Sequence, residues 1–172
     1  VVTRGWDATT PITLGQGGTW TLLTLPFTAR EGTIDYSFRL IEFADTVDAL
    51  TLGERRRDTL PDVGGRLSYT FTMETAGELY FDSNRNVSTG RWAVRDAATG
   101  TLMRSGTFSN DTGVASRMFL SAGDYRLELT ATGDAVPELP FSLFRLDAAP
   151  EIMPGTPLRT TLDPGNVTQA FR

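Results

Sequence analysis

The sequence predicts an all-β fold, an antiparallel β-sandwich of the jelly-roll kind, and three observations predict it. Apolar and polar residues alternate with period two in short runs, the pattern of a strand with one buried face. The runs are bounded by Gly, Pro, Asn and Asp, and nine prolines interrupt nearly every window long enough for a helix. The runs are also rich in Thr and β-branched residues, and they recur at about 8–12-residue spacing, as in two-sheet proteins.

Taken in order, Trp20 and Leu22 alternate with Thr19 and Thr21. Leu67, Tyr69, Phe71 and Met73 alternate with Ser68, Thr70 and Thr72. Leu79 and Phe81 alternate with Tyr80 and Asp82, and Trp92 and Val94 with Arg91, Ala93 and Arg95. Tyr125, Leu127 and Leu129 alternate with Arg126, Glu128 and Thr130. Gly77, Gly100 and Gly123 stand at the breaks, where turns call for positive φ. The expected core includes Phe71, Phe81, Trp92, Tyr125 and Leu127, and by alternation Trp20 and Trp92 face inward rather than forming a sugar-stacking platform.

The chain also resembles itself. Phe38-Arg39-Leu40 recurs as Phe144-Arg145-Leu146, at an offset of 106, preceded by Tyr36-Ser37 and Phe141-Ser142. Gly18-Thr19-Trp20-Thr21-Leu22 aligns with Gly123-Asp124-Tyr125-Arg126-Leu127 at an offset of 105. The stretch from Gly53 to Pro61 resembles that from Gly155 to Pro164. Ordered matches at nearly one offset point to a tandem repeat of about 105 residues, which is domain-sized. The expected parse is 1–45 as the C-terminal half of a preceding unit, 46–150 as a complete sandwich, and 151–172 as the first strands of a following unit. The incomplete ends are expected to pack on each other or to pair with neighbouring repeats or copies of the protein, as unpaired strand edges do. With Val1 rather than Met at its start, the chain reads as a segment of something longer.

Residues 46–147 resemble the bacterial pre-peptidase C-terminal domain. The likeness lies in Leu67-Ser68-Tyr69-Thr70-Phe71, then Thr75-Ala76-Gly77-Glu78-Leu79-Tyr80-Phe81, and in Trp92-Ala93-Val94-Arg95-Asp96 with Gly100. It continues in Ala122-Gly123-Asp124-Tyr125-Arg126-Leu127 and the closing strand Phe141–Leu146. The resemblance implies a small β-sandwich on a secreted or cell-surface bacterial protein, of a kind found repeated in large adhesin-like chains. The family's acidic residue before the central strand is absent here, where Gly90-Arg91 stand, so any ion bound through that carboxylate is not carried over.

Composition excludes several chemistries. The 172 residues contain no His, no Cys and no Lys among 16 basic and 21 acidic residues, and the net charge is −5. There is accordingly no imidazole base, thiol nucleophile, disulfide, Schiff-base lysine or P-loop lysine to be built from this chain. The acidic balance argues against nucleic acid; the basic run Arg55-Arg56-Arg57 ends at Asp58 and reads as a solvated strand or turn. No run approaches the roughly 18 apolar residues that span a bilayer. Carboxylate chemistry remains, but neither Glu74 with Glu78 nor Glu42 with Asp45 is brought to a catalytic separation by any sequence signal.

Two candidate sites stand out. Asp82, Asn84 and Asn86 repeat the opening of a calcium loop, oxygen-bearing side chains at alternate positions. Val87 at the sixth place and Ala93 at the twelfth break the pattern, so a polar loop between strands accounts for it better and no cofactor is expected. Trp6, outside any alternating run, is the candidate exposed ligand-binding aromatic. The sequence thus reads as a non-catalytic extracellular structural or binding module, an adhesin-like spacer or filament-forming unit. The alternative is a carbohydrate- or peptide-binding accessory domain of a secreted hydrolase.

Overall fold

A computed structural model describes residues 19–21, 47–109, 113–133, 135–155, 157–162 and 168–172. Among the described residues, nine strands and one 3-10 turn appear in this order: β1 Val47–Ala49, β2 Arg55–Thr59, β3 Arg66–Met73, β4 Gly77–Asp82, β5 Gly90–Asp96, β6 Leu102–Thr107, the 3-10 turn Gly113–Ser116, β7 Arg117–Leu120, β8 Gly123–Ala131 and β9 Glu138–Arg145. They form two sheets, one of five strands ordered β1-β3-β8-β5-β6 and one of four ordered β2-β9-β4-β7. The β-sandwich is therefore present, with one correction to the all-antiparallel expectation. β1 runs parallel to β3, pairing Val47 with Ser68 and Ala49 with Thr70. Three residues on a sheet edge suffice for that pairing, and alternation over three residues carries no directional signal.

The alternation works as the sequence predicts. In β3 the inward set is Tyr69, Phe71 and Met73; in β8 it is Tyr125, Leu127 and Leu129; in β5 it is Trp92 and Val94. The second sheet answers with Leu79 and Phe81 of β4, Leu139, Phe141 and Leu143 of β9, and Met118 and Leu120 of β7. Phe81 sits at the centre. Its ring stacks on Trp92 at 4.6 Å and on Phe141 at 5.9 Å, and it meets the edge of Phe108 at 5.4 Å. Such geometries add to the burial of large rings. Trp20, by contrast, is 53 % exposed, so of the two tryptophans expected inside only Trp92 is buried.

Local rules explain the less obvious strands. Pro140 lies within β9, where a proline removes a ladder donor. β9 pairs with β4 only from Ser142 to Arg145, so at Pro140 the one strand alongside is β2. The basic run forms β2 itself. Arg55 and Arg57 point to solvent, while Arg56 turns inward over the Tyr69 ring at 5.4 Å and pairs with Asp58 at 3.3 Å. Burial, and after it the hydrogen bond donated to Asp58, raise the Tyr69 hydroxyl well above its ordinary pKa and keep it a donor. The turn after β5 is closed by Asp96, whose carboxylate accepts from the N–H groups of Ala98 and Thr99 before Gly100 at φ 73°. The repeat parse depends on residues 18–40, nearly all outside the described set; the described strands all fall between Val47 and Arg145.

Candidate functional site

The outer face of the four-stranded sheet carries the residues with the most unusual surroundings. Alternation that sends Leu79 and Phe81 into the core sends Tyr80 and Asp82 outward on β4, opposite Phe144 and Ser142 of β9. Tyr80 and Phe144 pack together at 5.5 Å; on the edge strand β7, Phe119 lies opposite Glu78 and is 70 % exposed. Arg117 of β7 grips Glu78 of β4 in a two-bond fork at 2.8 and 2.7 Å.

Asp82 and Asn84 are both buried, whereas Asn86 is exposed, so the loop does not present its three alternate side chains to one point. Asn84 adopts φ 48°, a left-handed conformation that Asn tolerates better than most residues. Its backbone N–H donates to Asp82 Oδ1 at 3.2 Å, and the Ser142 hydroxyl donates to its Oδ1 at 3.2 Å. The other Asp82 oxygen accepts from the backbone N–H of Thr168, 86 residues on, at 2.7 Å. The side-chain oxygens of Asp82 and Asn84 are thus engaged by protein donors. Among the described residues no three Asp or Glu side chains cluster closely enough to hold a metal ion. Trp6 lies outside the described residues. We expect calcium to leave thermal stability unchanged. A calorimetric titration finding an affinity of about 10⁻⁷–10⁻⁵ M, the range of calcium sensors, would refute this and place ligands around Asp82.

A groove of about 390 Å³ runs beside Asp82, bounded by Leu52, Phe144, Ala149 and Pro150 on the sandwich side and by Thr168 and Ala170 on the other. Sequence reasoning missed it, because Thr168 and Ser142 carry no motif and reach Asp82 only through the fold. The first step away from the sheet is visible in Leu146, whose N–H donates to Glu78 O at 2.8 Å.

Several other described carboxylates are engaged in ion pairs or turns. Glu128 lies between Arg66 at 3.3 Å and Arg95 at 3.0 Å, and Asp147 is clasped by Arg145. The hydrogen bonds from Arg117 hold Glu78 below the usual carboxylate range, those from the Thr99 backbone do the same for Asp96, and those from Arg145 for Asp147. A carboxylate depressed in the folded state stabilises it fully above the unfolded pKa of about 4, and that contribution disappears as pH falls through the folded value. The melting temperature should therefore be flat between about pH 7 and 5 and should drop below about pH 4. An acid limb in Arg117→Ala as steep as in the unsubstituted chain would rule out Glu78 as a contributor.

Fold and site together define a two-sheet β-sandwich module with a bonded segment on its outer face. No family model matches the sequence, and no curated protein matches it. Among solved structures, the chain is similar to the pre-peptidase C-terminal domain of a collagenase from Bacillus anthracis, with TM-score 0.46 and 12 % identity over 59 % of this chain and 98 % of that one. It is also similar to a periplasmic inhibitor of g-type lysozyme from Aeromonas hydrophila, with TM-score 0.40 and 9 % identity over 58 % of this chain and 96 % of that one. The first is of the family that residues 46–147 resemble in sequence pattern. Among the described residues no helix is long and apolar enough to cross a membrane.

Proposed function

We propose that this chain is a non-catalytic structural module of a secreted or cell-surface protein, a spacer that holds neighbouring units of a repeated chain in fixed orientation. The observation that carries the reading is the path after β9. Leu146 bonds back to Glu78, Ala149 N–H bonds to Leu146 O at 3.2 Å, and Thr168 bonds to Asp82. A connector tied to its sandwich in this way transmits orientation, whereas an unbonded Gly/Ser-type linker acts as a flexible coil. The commitment of Glu78, Asp96 and Asp147 to cations and turn N–H groups supports the non-catalytic part. A carboxylate held ionised by such partners is a poor general acid.

Backbone relaxation of residues 146–149 in the full chain tests the spacer reading. Order parameters of about 0.85, those of rigid backbone, are expected; values below about 0.6 would mean a flexible connector and would defeat it. A second reading, a glycan- or peptide-binding accessory module, is favoured by the exposed Phe119, which shares the outer face of the four-stranded sheet with the Tyr80–Phe144 pair. A glycan and peptide array separates the two: a specific hit weakened by Phe119→Ala would favour the accessory module.

A further inference from the structure

Asp82 is 2 % exposed, and a carboxylate that deeply placed is tolerable only where donors reach it. One donor, the Asn84 N–H, is local and comes with the turn. The other, the Thr168 N–H on Oδ2, comes from 86 residues along the chain. A second anchor lies at the far end of the same segment. Arg172 N–H donates to Pro150 O at 2.9 Å, and Arg172 O accepts from Ile152 N–H at 2.7 Å, flanking Glu151 as a strand added in parallel would. The Arg172 guanidinium meets the Glu151 carboxylate at 3.0 Å. Between the anchors Ala170 lines the groove against Phe144 and Ala149.

We infer that the seat marked by Asp82 and by the backbone of Pro150 and Ile152, beside this groove, is a binding site for a peptide strand, and that its occupant between molecules is residues 168–172 of a second copy, exchanged for the chain's own segment. Both anchors run through main-chain atoms of the incoming strand, so a segment from another copy reproduces each of them. The charges agree as well. The segment Thr168-Gln169-Ala170-Phe171-Arg172 carries one cation and no acid, and its seat offers Asp82 and Glu151. The cation on the wall, Arg145, is engaged by Asp147. The inference rests on the module reading above and names how neighbouring units join. In cis the segment competes at an effective concentration of roughly millimolar, so exchange belongs to the crowding of an array rather than to dilute single chains.

The test uses the full chain carrying Thr168→Pro, which lacks the N–H that reaches Asp82, and a fluorescent peptide of residues 163–172. The substituted chain should bind this peptide at least tenfold tighter than the unsubstituted chain, whose seat at Asp82 is already taken by its own Thr168. Adding Asp82→Asn, which keeps the side-chain volume, should remove that gain. Equal binding by the two chains, or binding that survives the loss of the Asp82 charge, would overturn the inference. Melting curves of each variant confirm that the sandwich is intact, with Asp82→Ala as a second variant at the same position. The order parameters at residues 146–149 report on the spacer reading independently, so either idea can fail without the other.

Discussion

Trp92→Ala should lower stability by about 3–5 kcal/mol, the range for truncating a fully buried tryptophan. For a sandwich of this size that corresponds to a fall in melting temperature of roughly 15 °C or more. The indole is 2 % exposed and lies flat on Phe81, the ring that also touches Phe108 and Phe141. Its loss opens a cavity that cannot collapse cheaply. Val94 is fully buried beside it in β5, and Leu127 and Leu129 of the neighbouring β8 are fixed by the ladder that pairs Val94 with Leu127 and Trp92 with Leu129. Phe119→Ala makes the contrast. That ring is 70 % exposed on an edge strand, and its removal should cost under about 1 kcal/mol. Calorimetric melts of the two variants check both figures, and near-equal losses would mean that the core is not organised around Phe81 and Trp92.

That contrast marks what the sequence could tell. Period-two alternation identified β3, β4, β5 and β8 and sorted their inward side chains correctly, because the pleat fixes which residues share a face. It did not identify β6, where Leu102 and Met103 are consecutive and both exposed. β7, Arg117–Leu120, was also missed. Trp20 shows the limit from the other side: alternation named it a core residue, and it stands half in solvent. The Asp82 loop was singled out by its spacing and read as a candidate ion site. Its principal partner is a backbone N–H, which every residue but proline possesses, so no residue type at position 168 could have announced the contact. The need of a buried carboxylate for a donor was foreseeable, but its burial was not, since Asp82 follows Phe81 in a run whose polar members elsewhere face water.

Gly106→Ala should destabilise by about 1–3 kcal/mol, although it adds a single methyl group to a β-strand where alanine is otherwise tolerated better than glycine. Gly106 lies on β6 directly opposite Trp92 of β5. A Cβ at this position would stand 2.7 Å from Trp92 Cζ2 and 2.8 Å from both Cε2 and Nε1. Contacts that short are not tolerated, so either the indole or strand β6 must move. The indole is 2 % exposed with Phe81 stacked at 4.6 Å, and β6 is held along β5 by pairing from Arg91–Thr107 to Arg95–Leu102. The glycine is therefore the complement of the tryptophan, a flat seat on one strand for the large ring of the next. A double-mutant cycle isolates this pair. Gly106→Ala on its own should be destabilising. In a Trp92→Phe background, where the smaller ring withdraws from the seat, the same change should cost at least about 1 kcal/mol less. Strict additivity would show that the cost of alanine at position 106 arises in the backbone and not at the indole. The near-ultraviolet dichroism of tryptophan gives a second readout, because a displaced Trp92 in Gly106→Ala should change its band even where the far-ultraviolet β signal stays the same.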